Sequence, residues 1–371
     1  MSQTPSEDLY LAAALQAAHT ARDFLKAMEL VGERLAPERS AAMAAEIEDR
    51  FGERVQGVRS LLDTNPPPES LAPFAVRLSE GWSDAERAFE LFTTFPQAHP
   101  GERIAYILGA MHHLARAQET FYLLRRPLTP FKGYWEHADA PAHEDLPSRD
   151  EEGRAPTGVI HVTRGGHHGG FSLYIPEYYT PESEWPVIVA LHGGSGNGRD
   201  FLWTWVREAK SYGYLLVAPS ACSDTWGDQD DQGLLEILTW LSRQYRMAED
   251  RILLTGLSDG ATFGLLYGLA HPHVYRAIAP LCGVLHPANE LIGNLDRAKG
   301  VPIYLVHGAL DFLFPVQLAH MARETLTAAG AALEYRELAD LSHTYPRSEN
   351  VRILRWFEAL PPRFETTDEH G

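Results

Sequence analysis

Ser258 is the residue of this chain whose type and setting most clearly indicate chemistry. It lies at the centre of Gly256-Leu257-Ser258-Asp259-Gly260, directly after the apolar run Ile252-Leu253-Leu254. A strand that turns sharply into a helix exposes the central serine at the end of a sheet, and small residues two before and two after it let strand and helix approach closely. We therefore predict that Ser258 is a nucleophile on such a turn.

Two further side chains would supply the base and the acid that a serine nucleophile needs. Asp311 follows the apolar strand pattern Val301–Val306, and His343 follows the last strand pattern, Leu333–Leu338. A histidine can accept the serine proton, and an aspartate can fix the histidine tautomer. An N-cap or surface position is the alternative for Asp311. The chain order Ser258, Asp311, His343 is the serine-acid-histidine order of one class of hydrolases.

Residues 157 to about 363 resemble an α/β-hydrolase serine esterase. The motifs that carry the resemblance are Leu191-His192-Gly193-Gly194, Gly256–Gly260, His307–Asp311 with Pro315, and His343 with Tyr345-Pro346. The group in question contains poly(3-hydroxybutyrate) depolymerase-like and feruloyl-esterase-like enzymes and the phospholipase/carboxylesterases. The resemblance implies ester hydrolysis through an acyl-enzyme on Ser258, with His343 as general base and Asp311 as the orienting acid, and it requires no cofactor or metal.

The glycine-rich segment after the strand pattern Trp185–Leu191 has the place of an oxyanion loop in this resemblance. Backbone N–H groups of Gly193, Gly194 and Asp259 are predicted to stabilise the developing oxyanion. Trp226 and His192 are predicted to border the cleft and contact substrate, although loop packing is an equal alternative for Trp226. A phosphate-binding role of the glycines is disfavoured because the segment lacks a Lys followed by Ser or Thr.

The rest of the chain indicates two domains of different class. Residues 1–134 show helical periodicity in about four segments, with a possible helix break at Ser83–Glu86, and predict an all-α domain of unassigned role. An acidic linker with several prolines is predicted at 135–156, the catalytic domain at 157–364 and a tail at 365–371. Within 157–364, an entry hairpin and six further strand patterns alternate with helices. This predicts an α/β fold, a mostly parallel eight-stranded sheet with helices on both faces.

Composition restricts the partners. The net charge of −18 argues against nucleic acid and anionic membranes and favours a neutral or cationic substrate over a polyanion. The partner that the resemblance implies is a small-molecule ester substrate. The chain start lacks the pattern of a signal peptide, so a cytoplasmic location is expected, and Cys222 and Cys282 are expected to be free thiols. The helical domain could mediate a homodimer, cover the cleft as a lid or bind a partner.

The expected function is hydrolysis of small or medium carboxylic esters. A serine peptidase, a thioesterase or an acyltransferase could use the same three side chains, because the binding pocket decides among them. A non-catalytic hydrolase-fold binding protein is the alternative outside enzymes.

Overall fold

The N-terminal part of the chain is helical throughout. The computed structural model describes residues 5–141, 155–163 and 169–361. The helices of this part are α1 (Pro5–Arg34), α2 (Ser40–Thr64), α3 (Ala72–Thr94), α4 (Arg103–Leu123) and the short α5 (Thr129–Lys132), with 3₁₀ turns at Glu69–Leu71 and Phe95–Gln97. Four long helices match the predicted number, and prolines or glycine mark the connections between them.

The helix break considered at Ser83–Glu86 does not occur. Helix α3 runs through it without interruption, and Leu78, Trp82 and Ala85 point into the core at helical spacing. Burial of this apolar stripe stabilises the continuous helix and outweighs the local start signal of Ser83-Asp84.

The C-terminal part forms one eight-stranded sheet, as predicted. The strands are β1 (Gly158–Val162), β2 (Phe171–Ile175), β3 (Trp185–Leu191), β4 (Leu215–Pro219), β5 (Met247–Leu257), β6 (Ala277–Leu281), β7 (Pro302–Gly308) and β8 (Ala332–Leu338). Their order in the sheet is β1-β2-β4-β3-β5-β6-β7-β8. Strand β2 pairs antiparallel with β1 and β4, whereas the remaining neighbours are parallel. The central strands β3 to β7 are almost wholly buried, which explains their continuous apolar sequences.

Helices connect the parallel strands and cover the sheet. They are α6 (Gly198–Phe201), α7 (Val206–Tyr212), α8 (Asp228–Gln244), α9 (Asp259–Ala270), α10 (Ala288–Leu291), α11 (Asn294–Arg297), α12 (Val316–Ala328) and α13 (Asn350–Glu358), with 3₁₀ turns at Leu202–Thr204 and Arg347–Glu349. This arrangement is the α/β-hydrolase fold, and it places the loops after β3, β5, β7 and β8 at the carboxyl edge of the sheet, where ligands bind in open parallel sheets.

The helical part shares its apolar core with one face of the sheet. Tyr122 of α4 contacts the rings of Trp135, Tyr174 and Trp203, with ring centroids 5.2–6.0 Å apart. Its hydroxyl donates to the Glu177 carboxylate at 2.6 Å. Trp135 was predicted as the first residue of the linker, but it is fully buried here. Most of the predicted linker lies outside the described residues, so its end points remain a prediction.

No helix within the described ranges combines the length and the hydrophobicity that crossing a bilayer requires.

Candidate active site

Ser258 occupies the turn between β5 and α9, in the strained backbone conformation expected of a nucleophile there. Its φ is 54° and its ψ is −114°, a region that non-glycine residues rarely adopt. The Ser258 N–H donates to the Leu281 carbonyl at 2.9 Å, and its carbonyl accepts from the Thr262 N–H at 2.9 Å. These bonds fix the turn from both sides and leave the hydroxyl partly exposed at the carboxyl edge of the sheet.

The two glycines of the motif are explained by backbone packing. A Cβ on Gly260 would lie 2.4 Å from the His192 carbonyl oxygen, and one on Gly256 would lie 2.7 Å from the Gly260 carbonyl. Both obstacles are main-chain atoms, which cannot move aside as a flexible side chain can. The close approach of α9 to β3 and β5 therefore requires glycine at both positions, as the sequence argument supposed.

The structure brings Ser258, His343 and Asp311 together. The Ser258 Oγ lies 2.8 Å from His343 Nε2, and His343 Nδ1 lies 2.8 Å from Asp311 Oδ2. Asp311 can only accept, so the network assigns the Nδ1 proton to the bond with Asp311 and leaves Nε2 as the acceptor for the serine proton. This arrangement can remove a proton from Ser258 and stabilise the imidazolium that results.

Asp311 is held by the turn that follows β7. Its Oδ1 accepts from the N–H groups of Leu313 at 2.9 Å and Phe314 at 2.7 Å. Burial works to raise the pKa of Asp311, but the hydrogen bonds from His343 and from the Phe314 N–H outweigh it and lower the pKa below its usual value. Asp311 does not cap the next helix, which begins at Val316, and it is not a surface acid, because its side chain is buried.

Aromatic side chains that the sequence argument did not single out surround His343. The rings of Phe314 and Phe312 meet the imidazole edge-on, with centroids 5.2 and 6.4 Å away. Phe312 and Leu313 remain largely exposed, so an apolar surface lies beside the reacting groups. His307 anchors the same turn, since its Nε2 lies 2.8 Å from the Phe314 carbonyl oxygen. The sequence signal for this apolar surface is the large apolar residue directly after Asp311, but the sequence alone does not show which way that side chain points.

The glycine-rich loop after β3 lies beside the nucleophile. A Cβ on Gly193 would be 3.6 Å from the Ser258 Cβ, and one on Gly194 would be 4.0 Å from the Asp259 Cβ. Among the hydrogen bonds of the residues described, none uses the N–H of Gly193, Gly194 or Asp259 as donor. These three donors are therefore available to a developing oxyanion next to Ser258.

A second loop, residues 221–227 after β4, fixes the glycine-rich loop in place. The Ser195 N–H donates to the Asp224 carbonyl at 2.8 Å. The Asp259 carboxylate accepts from the Thr225 hydroxyl and from the Trp226 N–H. The side chain of Asp259, the residue after Ser258, therefore holds the loop that contacts the glycine-rich loop.

The substrate contacts predicted for Trp226 and His192 need correction, because both side chains are buried under this loop. The Trp226 indole N–H donates to the His192 carbonyl at 2.8 Å, and its ring stacks on Phe263. His192 Nε2 accepts from the Ala221 N–H at 3.0 Å, and Nδ1 lies 2.7 Å from the Gly193 carbonyl oxygen. Burial lowers the pKa of His192, which keeps the ring neutral and able to accept from Ala221. Both side chains thus pack beneath the glycine-rich loop, with 7% of Trp226 and 2% of His192 exposed.

In the part of the chain that the structure describes, no group of three His, Cys, Asp or Glu side chains could hold a metal ion. Cys222 is exposed, Cys282 is buried, and both are free thiols.

Comparisons with known proteins show similarity to esterases. The model of the phospholipase/carboxylesterase family matches residues 233–358. A bifunctional acetylxylan esterase/xylanase of Neocallimastix patriciarum is 26% identical over 191 residues, which are 48% of this chain and 26% of that protein. Feruloyl esterase B of Talaromyces funiculosus is 25% identical over 138 residues, 32% of this chain and 38% of the relative.

Among solved structures, a thermostable esterase is similar with a TM-score of 0.47 and 21% identity, and the match covers 54% of this chain and 62% of the other. The chain spans only about a quarter to two fifths of the lengths of the two curated relatives. The C-terminal part of this chain thus has the α/β-hydrolase fold, and a segment of it, residues 233–358, is similar to the phospholipase/carboxylesterases.

Proposed function

We propose that the protein is a serine carboxylesterase that hydrolyses small or medium carboxylic esters. The observation that carries the proposal is the hydrogen-bonded series Ser258, His343 and Asp311 next to three unoccupied backbone N–H donors. The relatives with curated names are esterases, which supports an ester rather than an amide as the bond cleaved.

The reaction begins with proton transfer from the Ser258 hydroxyl to His343 Nε2 as Oγ attacks the ester carbonyl. The carbonyl oxygen becomes an anion that the N–H groups of Asp259 and of Gly193 or Gly194 stabilise, and each such donor lowers the barrier by about 2.7–4 kcal/mol. His343 then gives the proton to the departing alcohol, and an acyl group remains on Ser258. Water repeats the sequence and releases the acid.

The acyl and alcohol specificity belongs to the same proposal. One relative is named for acetylxylan and another for feruloyl esters, so acetylated xylan and feruloyl esters are sensible substrates to test besides simple acyl esters. The exposed apolar residues Phe312 and Leu313 beside His343 suit an uncharged substrate. Self-association through the helical domain and a cytoplasmic location are further proposals that sizing and fractionation would test.

The test is hydrolysis of p-nitrophenyl esters of increasing acyl length by wild type and Ser258→Ala. We expect activity in wild type only, with kcat reduced on the order of 10⁶-fold in Ser258→Ala. Equal turnover by both proteins would refute the role of Ser258. Cleavage of peptide anilides in preference to the esters would instead support the peptidase alternative, and absence of labelling by a fluorophosphonate probe would support a non-catalytic binding protein.

A further inference from the structure

The loop that carries His343 contacts the N-terminal helical domain directly. We define the histidine loop as residues 339–349, which follow β8. The Thr344 hydroxyl, one residue after the base, donates to the Glu33 carbonyl oxygen at the end of α1 at 2.7 Å. The Glu33 carboxylate accepts from the N–H of Ser348 at 3.3 Å and from its hydroxyl. One residue of α1 therefore bonds the histidine loop on the C-terminal side of His343 at two positions.

Two neighbouring contacts extend this attachment. Glu29, one turn earlier on α1, forms an ion pair with Arg347 at 3.0 Å, and both side chains are about nine-tenths buried. Arg39, which precedes α2, donates to the Asp340 carbonyl at 3.0 Å. The helical domain thus holds the histidine loop at residues 340, 344, 347 and 348, on both sides of His343.

The oxyanion side of the site is attached to the same domain. Arg199 and Asp200 belong to α6, which starts directly after the glycine-rich loop. Arg199 donates to the Glu119 carboxylate of α4 at 2.8 and 2.5 Å, and Asp200 lies 2.6 Å from His112 of α4. The loop that carries His343 and the segment after the glycine-rich loop are therefore both bonded to one set of helices, whose buried residues form a shared core.

A general base works only when it stays within hydrogen-bond reach of its proton, and a displacement of about 1 Å can cost on the order of 10²-fold in rate. A side chain on a loop between a strand and a helix keeps its position to within about 1 Å only when packing and hydrogen bonds hold the loop. We propose that Glu33 and Thr344 form a positioning contact through which the helical domain holds His343 against Ser258. The helical domain is then a fixed brace of the active site and does not need to open as a lid. This inference rests on the proposed function.

The experiment compares Thr344→Val, which removes the donor to the Glu33 carbonyl, and Glu33→Ala, which keeps that carbonyl but removes the carboxylate that accepts from Ser348, with wild type. Valine keeps the shape of threonine but removes the hydroxyl donor. We expect each variant to lower kcat for p-nitrophenyl acetate about 10-fold with KM unchanged, and to slow fluorophosphonate labelling of Ser258 by a similar factor. Thr344→Ser, which restores the hydroxyl, should recover most of the rate.

The matched control is Thr93→Val. Thr93 also donates its hydroxyl to a helix carbonyl, that of Phe89 at 2.9 Å, but on α3. This variant should turn over and label as wild type does. A purely structural role of Thr344 would lower thermal stability in both Val variants and leave kcat at 25 °C unchanged, which would overturn the proposal.

The labelling rate distinguishes failure of the positioning contact from failure of the proposed function. Wild type that is labelled at Ser258, with Thr344→Val and Glu33→Ala labelled equally fast, would refute the brace but not the nucleophile. Wild type that is neither labelled nor active would refute the proposed function and the positioning contact with it. Slow labelling of Thr344→Val and of Glu33→Ala, with Thr344→Ser labelled nearly as fast as wild type, would support the brace whatever the preferred ester.

Discussion

Glu119 is expected to be a strong electrostatic link between the helical domain and the hydrolase domain. Its carboxylate receives two hydrogen bonds from Arg199 and lies 3.4 Å from His161 of β1. Burial works to raise its pKa, but the hydrogen bonds from Arg199 and His161 outweigh burial and lower the pKa from 4.5 to about 2. We therefore predict that Glu119→Gln, which keeps the shape and removes the charge, destabilises the fold at neutral pH.

The size of the effect follows from that shift. A difference of about 2.5 pKa units corresponds to about 3 kcal/mol. Because the Arg199 side chain is 40% exposed, water screens part of the interaction, and we expect a loss of about 2 kcal/mol in the free energy of unfolding. For a chain of this size, that loss lowers the melting temperature by about 3 °C.

The pH dependence gives a second check. Folding lowers the pKa of the Glu119 carboxyl, so its charged form stabilises the folded protein. This stabilisation is complete above the pKa that the carboxyl has in the unfolded chain, and it is lost as pH falls through the pKa that it has in the folded protein. The difference between wild type and Glu119→Gln should be nearly constant above about pH 5 and fall to well below half of that value at about pH 3. Urea unfolding at several pH values measures it.

The matched control is Glu86→Gln. Glu86 pairs with Arg59 at 3.3 Å, but the Arg59 side chain is 71% exposed, so this change should alter the free energy of unfolding by no more than about 0.5 kcal/mol. Equal stability of Glu119→Gln and wild type at pH 7, or a difference that does not shrink towards pH 3, would refute the reasoning.

Three predictions concern residues in and around the candidate site. Asp311→Asn should lower kcat about 10⁴-fold in the ester assay, because the amide can no longer hold the His343 tautomer; near-normal turnover would exclude Asp311 as the acid. Asp259→Ala should lower kcat about 10-fold with little change in KM, since residues 221–227 lose an anchor but the Asp259 N–H remains; an increase in KM alone would indicate a substrate contact instead. Gly260→Ala should destabilise the fold by about 3 kcal/mol or more in urea unfolding, because a Cβ meets the His192 carbonyl oxygen, and an unchanged midpoint would contradict the close approach.

Local sequence patterns were sufficient to predict the fold class and to place Ser258, Asp311 and His343 at one edge of a sheet. Central parallel strands are buried on both faces and read as continuous apolar runs, and the glycines beside Ser258 mark a close backbone approach that few other residues allow. These features depend on residues near one another in the chain, which is why the sequence alone reveals them.

The features that were missed or wrong depend on distant partners. Trp226 and His192 face the interior of the oxyanion loop, and only the packed structure shows on which side of a loop a side chain lies. Glu33 meets Thr344 across 311 positions of the chain, and no periodicity or motif marks that contact. Burial of Trp135 between the two parts of the chain likewise follows from tertiary packing and not from the composition of the segment that follows it.

The nucleophilic role of Ser258 is tested most directly by mapping a covalent adduct. Wild type would be reacted with a fluorophosphonate, digested and sequenced by mass spectrometry, beside Ser258→Ala and His343→Ala. We expect a single adduct on the peptide that contains Ser258, none in Ser258→Ala and strongly slowed labelling in His343→Ala, because the hydroxyl needs the histidine to accept its proton. An adduct on another residue, or equal labelling of all three proteins, would contradict the assignment of this site as the catalytic centre.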